Sequence, residues 1–107
     1  MALSFKAGCK LHKLQPQMLI ALDVAEQEFS RYGLDTVVTS VNDSGHKEGS
    51  KHYLGAALDL RTKHSGNLGN NLAKAILQKL SHLGFDVLFE YPGQPQEHIH
   101  IEYDPKD

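Results

Sequence analysis

Apolar residues recur along the chain at two spacings. Between Gln17 and Tyr32, the residues Met18, Leu22, Ala25 and Phe29 follow each other at intervals of three or four. That period predicts a helix with one buried face. Pro16 suits its first turn and Gly33 its end, and the polar side with Asp23, Glu26, Glu28 and Arg31 is expected in solvent. The same period returns at Leu68, Leu72, Ala75, Ile76, Leu80 and Leu83, which predicts a second helix ending at Gly84, with Ser65 or Asn67 as its cap.

The other spacing is two. The β-branched run from Asp35 to Val41 reads as a strand. Residues 56–62 alternate loosely through Leu58-Asp59-Leu60, so Asp59 belongs to one face and the leucines to the other. Phe85 to Phe89 reads as a third strand and Glu97 to Tyr103 as a fourth. In the fourth, His98, His100 and Glu102 share a face and Ile99 and Ile101 the opposite one. The polar, turn-rich residues 42–51 and the stretch 91–96, with two prolines and a glycine, are loops. Residues 1–14 carry no strong period and read as an extended lead-in, and 104–107 as a tail.

The order helix, strand, strand, helix, strand, strand predicts a single α+β domain over residues 1–107. Its small antiparallel sheet would carry the helices on one face and leave the other for chemistry. The 107 residues allow a modest core, to which a bound metal would add stability. A net charge of −2 gives no broad basic surface for nucleic acid. No stretch reaches the ~20 apolar residues needed to span a bilayer, and the first residues lack the apolar core of a signal peptide. A cytoplasmic monomer is therefore the expectation for the chain as synthesised. The single cysteine, Cys9, rules out an internal disulfide and reads as a small buried residue.

The chemistry gathers in two places. Residues 50–61 read Ser50-x-His52-x-x-Gly55-x-Ala57-x-Asp59, and Glu97-His98-Ile99-His100-Ile101-Glu102 follows near the end. Gly55 allows a sharp turn before the strand, and Ala56 and Ala57 leave room above the sheet. Two histidines and an aspartate, with one position left for water, suit a catalytic zinc ion. The proposed ligands are His52, Asp59 and His100. A structural zinc is less in keeping with this set, because such sites are rich in cysteine and fully protein-ligated.

These residues resemble the zinc D,D-peptidases, including the vancomycin-resistance dipeptidases and carboxypeptidases and the phage endolysins that cut between L-alanine and D-glutamate. The run of Gly45, His46, Ser50, His52, Tyr53, Gly55, Ala57 and Asp59, with His98 to His100 downstream, is also similar to the hedgehog signalling domain, which shares that fold. The resemblance implies a hedgehog/D,D-peptidase-like fold with the zinc opposite the helices. It implies that Glu97, three before His100, is the base and later the acid. In the hedgehog-like pattern the glutamate stands at the end of the preceding strand, where Glu90 fits, and Glu90 stays open as the rival. His98 and His46 would flank the metal as proton shuttles or oxyanion donors. Ser50 would brace the loop or hydrogen-bond substrate, since nothing marks it as a nucleophile.

The expected function is zinc-dependent hydrolysis of peptide bonds in D-amino-acid-containing peptidoglycan stem peptides, by a chain of phage or prophage type that reaches the wall on release. A non-catalytic, zinc-containing binding module of hedgehog-like fold is the alternative. The sequence departs from the peptidase pattern in one respect. Many of those enzymes carry an arginine in the loop before the first motif to hold a substrate carboxylate, and none stands in residues 39–50. Arg61 lies beyond Asp59 and would need to fold back. An endopeptidase cut is therefore expected over removal of a free terminal residue.

Overall fold

The computed structural model describes residues 2–9, 14–41 and 55–105. They form a small α+β domain with a five-stranded mixed sheet and two helices. The elements are β1 (Leu3–Phe5), α1 (Met18–Ser30), β2 (Thr36–Ser40), β3 (Ala57–Arg61), α2 (Gly69–Leu80), β4 (Phe85–Glu90) and β5 (His98–Tyr103). Single 3₁₀ turns at Lys63–Ser65 and Ser81–Leu83 flank α2. None of the described helices is long and apolar enough to cross a membrane.

The strand order is β1-β2-β3-β5-β4. Every pair is antiparallel except β1 with β2, which run parallel. The expected all-antiparallel sheet is thus corrected to a mixed one. The extra strand is Leu3–Phe5, whose residues are all exposed at the sheet edge and so carry no hydrophobic period. A parallel neighbour requires a crossover, and α1 supplies it. α2 makes the equivalent link from β3 to β4, and β5 inserts between those two strands.

Both helices lie on one face of the sheet. Met18, Ala21, Leu22, Ala25 and Phe29 of α1 and Leu72, Ala73, Ile76 and Leu80 of α2 are buried against Val38, Leu58, Leu60, Phe85, Val87, Ile99 and Ile101. The periodic residues of both helices therefore form the core, as their spacing predicts. Leu83 and Ala75 are exceptions: α2 stops at Leu80 and Leu83 is 44% exposed in the following turn, while Ala75 is only half-buried and Ala73 enters the core instead. Neither Ser65 nor Asn67 caps α2. The cap position is Leu68, without a side-chain bond, and Ser65 Oγ donates instead to the Thr62 carbonyl at 2.5 Å. At the start of α2 a Cβ on Gly69 would lie 2.6 Å from Phe89 Cζ, so glycine lets the ring rest on the helix backbone.

Glu28 also departs from expectation. It is buried between the helices, with Lys79 Nζ 2.6 Å and Arg31 Nη1 3.3 Å from its carboxylate. Those two cations make the burial tolerable, and together they tie α2 to α1.

Candidate functional site

The face of the sheet away from the helices is set by strand parity. In β3, Leu58 and Leu60 enter the core, which turns Asp59 and Arg61 outward. In β5, Ile99 and Ile101 enter the core, which turns His98, His100 and Glu102 outward. Register then decides which of these meet. Asp59 stands directly opposite His100, Arg61 opposite His98, and on the other side Glu90 of β4 opposite His98. Gly55, at φ +71, makes the turn into β3, a conformation that side-chain-bearing residues rarely adopt. Its carbonyl accepts from the Gln15 amide, which anchors the approach to the strand.

His100 lies between two carboxylates. Its Nδ1 is 2.9 Å from Asp59 Oδ1 and its Nε2 is 2.8 Å from Glu102 Oε1. Burial of the ring disfavours the imidazolium, but the hydrogen bonds and charges of Asp59 and Glu102 outweigh it and raise the pKa to about 9. With no metal, His100 is thus a cation holding two anions together.

His98 forms a second link. Its Nδ1 donates to the Gln96 carbonyl at 2.8 Å, which directs Nε2 toward Glu90 Oε1 at 2.9 Å and Asp59 Oδ1 at 3.7 Å. His98 thus bonds Glu90, while Asp59 at 3.7 Å lies beyond hydrogen-bond reach of the same nitrogen. The Tyr91 ring leans on that of His98, with centroids 6.0 Å apart. Tyr91 holds a positive φ of 53, unusual for a residue with a side chain, directly after Glu90.

Glu97 has other partners. Thr62 Oγ1 donates to its Oε2 at 2.5 Å and the Gly93 amide to its Oε1 at 2.8 Å. The Thr62 bond first, then the Gly93 bond, hold its pKa below the ordinary value. Thr62 is buried just after the end of β3. Glu97 stands one residue before β5 and lines the same cavity as Asp59 and His98, where its two bonds tether the 91–96 loop. The structure therefore brings Asp59, His98, His100, Glu90 and Glu102 together, and commits both Glu97 oxygens to other partners. His46, Ser50 and His52 lie outside the described residues.

Glu102 and Tyr91 extend the set that motif matching selects, which already held Glu90 as the rival base. Glu102 was legible as the next outward position after His100. Glu90 needs the β4–β5 register, and Tyr91 has no sequence signal. Arg61 does not need to fold back, since it shares the outward face of β3 with Asp59. A separate grouping, Asp86, Glu102 and Asp104, brings three carboxylates within 4.8 Å of one another. Its all-oxygen donors are suited to a hard cation, although exposed acidic groups gather without one. Of the remaining histidines, His64 is structural. Its Nε2 bonds the Asp35 carbonyl at 2.7 Å and its ring stacks on Phe29. Comparison with protein-family models, with curated proteins and with solved structures finds no match to this chain.

Proposed function

We propose that this protein is a zinc-dependent peptidase of hedgehog/D,D-peptidase-like fold, acting on D-amino-acid-containing peptides of the peptidoglycan stem. The observation that carries the reading is the outward face of β3 and β5. There an aspartate and a histidine converge at 2.9 Å, and a second histidine–glutamate pair stands beside them. The substrate class rests on the resemblance of the two motifs.

The donor set fits the metal. Asp59 offers oxygen and His100 offers Nδ1, both donors that zinc accepts. Glu102 on the far nitrogen of His100 is the carboxylate that orients a metal-binding imidazole and fixes the free nitrogen on the metal side. His52 would complete the set. When bound, zinc supplies a Lewis acid that polarises a peptide carbonyl and makes water acidic enough to lose a proton near neutral pH.

The chain's own groups supply the rest. Glu90 takes the base role in preference to Glu97, because Glu90 joins the cluster through His98 while both Glu97 oxygens are occupied. Glu90 would accept the proton and return it to the leaving amine. His98, held by the Gln96 carbonyl, would steady the Glu90 carboxylate and donate to the developing oxyanion. Ser50 and His46 keep their proposed parts in substrate binding and proton transfer.

The test is digestion of purified peptidoglycan by zinc-loaded protein, with new termini identified by mass spectrometry, with and without chelator. Chelator-sensitive release of stem-peptide fragments is expected. A protein that holds one zinc and releases nothing would instead be a zinc-containing binding module.

A further inference from the structure

We infer that Tyr91 is a positioning residue for His98, and that the loop from Tyr91 to Glu97 clamps the imidazole so that its Nε2 stays aimed at Glu90. This rests on the peptidase reading, in which His98 steadies the Glu90 carboxylate, and it adds the groups that keep His98 in place.

The two hydrogen bonds of His98 do not fix the ring by themselves. Nε2 meets the Glu90 side chain, which is 38% exposed, and Nδ1 donates to the carbonyl of Gln96, an exposed loop residue. Both bonds lie in the plane of the imidazole, so the ring can still tilt about the line joining its nitrogens. A contact on the ring face removes that freedom. The Tyr91 ring provides one, with centroids 6.0 Å apart and planes inclined at 42°, within the range where aromatic rings attract. Tyr91 lies on the solvent side of the pair, since it is half-exposed while the His98 side chain is only 18% exposed.

The backbone points the same way. Among the described residues, Tyr91 is the only one other than glycine with a positive φ. Pro92 follows it, and a residue before proline is ordinarily held extended. Glycine would hold this turn without strain. The chain keeps a tyrosine there although its ring adds little to the core. A strained position that does not serve packing is explained by what its side chain touches, which here is His98.

One loop supplies both holds on the imidazole. The Gln94 amide donates to the Tyr91 carbonyl and the Glu97 amide to the Gln94 carbonyl, each at 3.0 Å. The Gly93 amide and the Thr62 hydroxyl then donate to the Glu97 carboxylate and close the loop onto the end of β3. Tyr91 and Gln96 thus belong to one frame, which grips His98 at its face and at Nδ1. A group that must meet a developing charge gains most when it is held in place beforehand.

The experiment compares the zinc-loaded 107-residue chain with Tyr91→Phe, Tyr91→Ala and Tyr91→Gly, using a soluble stem peptide as substrate. Loss of the ring in Tyr91→Ala and Tyr91→Gly should lower kcat roughly ten- to a hundred-fold, as expected for a small misplacement, with little change in KM. Tyr91→Phe keeps the ring and should retain most of the turnover. Tyr91→Gly should melt higher than Tyr91→Ala yet be no more active, whereas a merely structural role would make turnover follow melting temperature. Turnover that does follow it, a Tyr91→Phe as slow as Tyr91→Ala, or ring loss that leaves kcat unchanged each overturns the assignment. Carbon-13 NMR relaxation of the His98 ring reads the clamp without substrate. The ring should be rigid in wild type and Tyr91→Phe and mobile in the other two variants. If wild type cuts nothing, the peptidase reading falls and this measurement decides the clamp alone. A His98 ring equally rigid in all four proteins overturns the clamp, whatever the turnover.

Discussion

Glu90→Gln and Glu97→Gln should have opposite effects, and the contrast tests the mechanism. Glu90 ends β4 opposite His98, with its Oε1 2.9 Å from His98 Nε2. Glutamine keeps the size and one acceptor oxygen but cannot take a proton at neutral pH. Loss of a general base costs ~10²–10⁴-fold, or about 3–5 kcal/mol of transition-state stabilisation. The His98 and Glu90 side chains are 18% and 38% exposed, so the lost charge pair should cost the fold under about 1 kcal/mol. Zinc content should not change.

Glu97→Gln removes charge from two hydrogen bonds, to Thr62 and Gly93. Allowing for its exposure, the cost is about 1 kcal/mol, which lowers the melting temperature of a domain this size by roughly 4–8 °C. Turnover should largely survive. The pH dependence has a definite sign. The folded pKa of Glu97 is lowered from 4.5, so its stabilisation is complete above that value and is lost as pH falls through the folded pKa. The melting gap between wild type and Glu97→Gln should therefore close in acid. Peptide release by mass spectrometry, zinc content and melting curves measure all three quantities. An active, zinc-loaded Glu90→Gln beside an inactive, thermally unchanged Glu97→Gln would refute this assignment and return the base to Glu97.

Asp59→Ala or His100→Ala should each remove most of the zinc, and chelator should lower the melting temperature of the wild type but not of these variants, because metal bound only to the folded state stabilises it. In the metal-free protein, the His100 pKa of about 9 contributes stability that is full below about pH 6.5 and lost as pH rises through 9, so chelated wild type should lose its melting advantage over His100→Ala across that range. Tyr91→Gly should be more stable than Tyr91→Ala by about 1 kcal/mol, since only glycine holds the positive φ without strain; equal melting temperatures would argue against that turn.

Much of this fold was legible because its elements bury one side. The α1 and α2 faces and the alternation in β3 and β5 can be read directly, and they place Asp59, His98 and His100 on one side of the sheet. β1 was not legible, since three exposed residues leave no pattern and the partner strand lies beyond a helix. Glu28 reads as surface because its two cations are identified only when α2 docks. The two candidate bases show the limit of counting along a motif. Glu97 stands one residue before β5, where strand parity no longer sets its direction, and its two oxygens are taken by Thr62 and Gly93. Glu90 is ten residues before His100 and comes into place only through the hairpin register.

That register is fixed by the core and not by the polar residues. A slip of β5 by one position against β3 would move His98, His100 and Glu102 to the helix side and expel Ile99 and Ile101 into water. Ile99 and Ile101 are fully buried, opposite Leu60 and Leu58 on one side and Phe89 and Val87 on the other. Losing two such side chains from the core would cost about 3–6 kcal/mol at ~1.5–3 kcal/mol each. That is a large part of the stability of a domain of this size. The penalty holds Asp59 opposite His100 whether or not a metal is bound. It also lets three carboxylates and two imidazoles be held close together on the other face, where mutual repulsion among the anions would otherwise drive them apart. The apolar face thus supplies the rigidity that holds the polar groups of the other face in register.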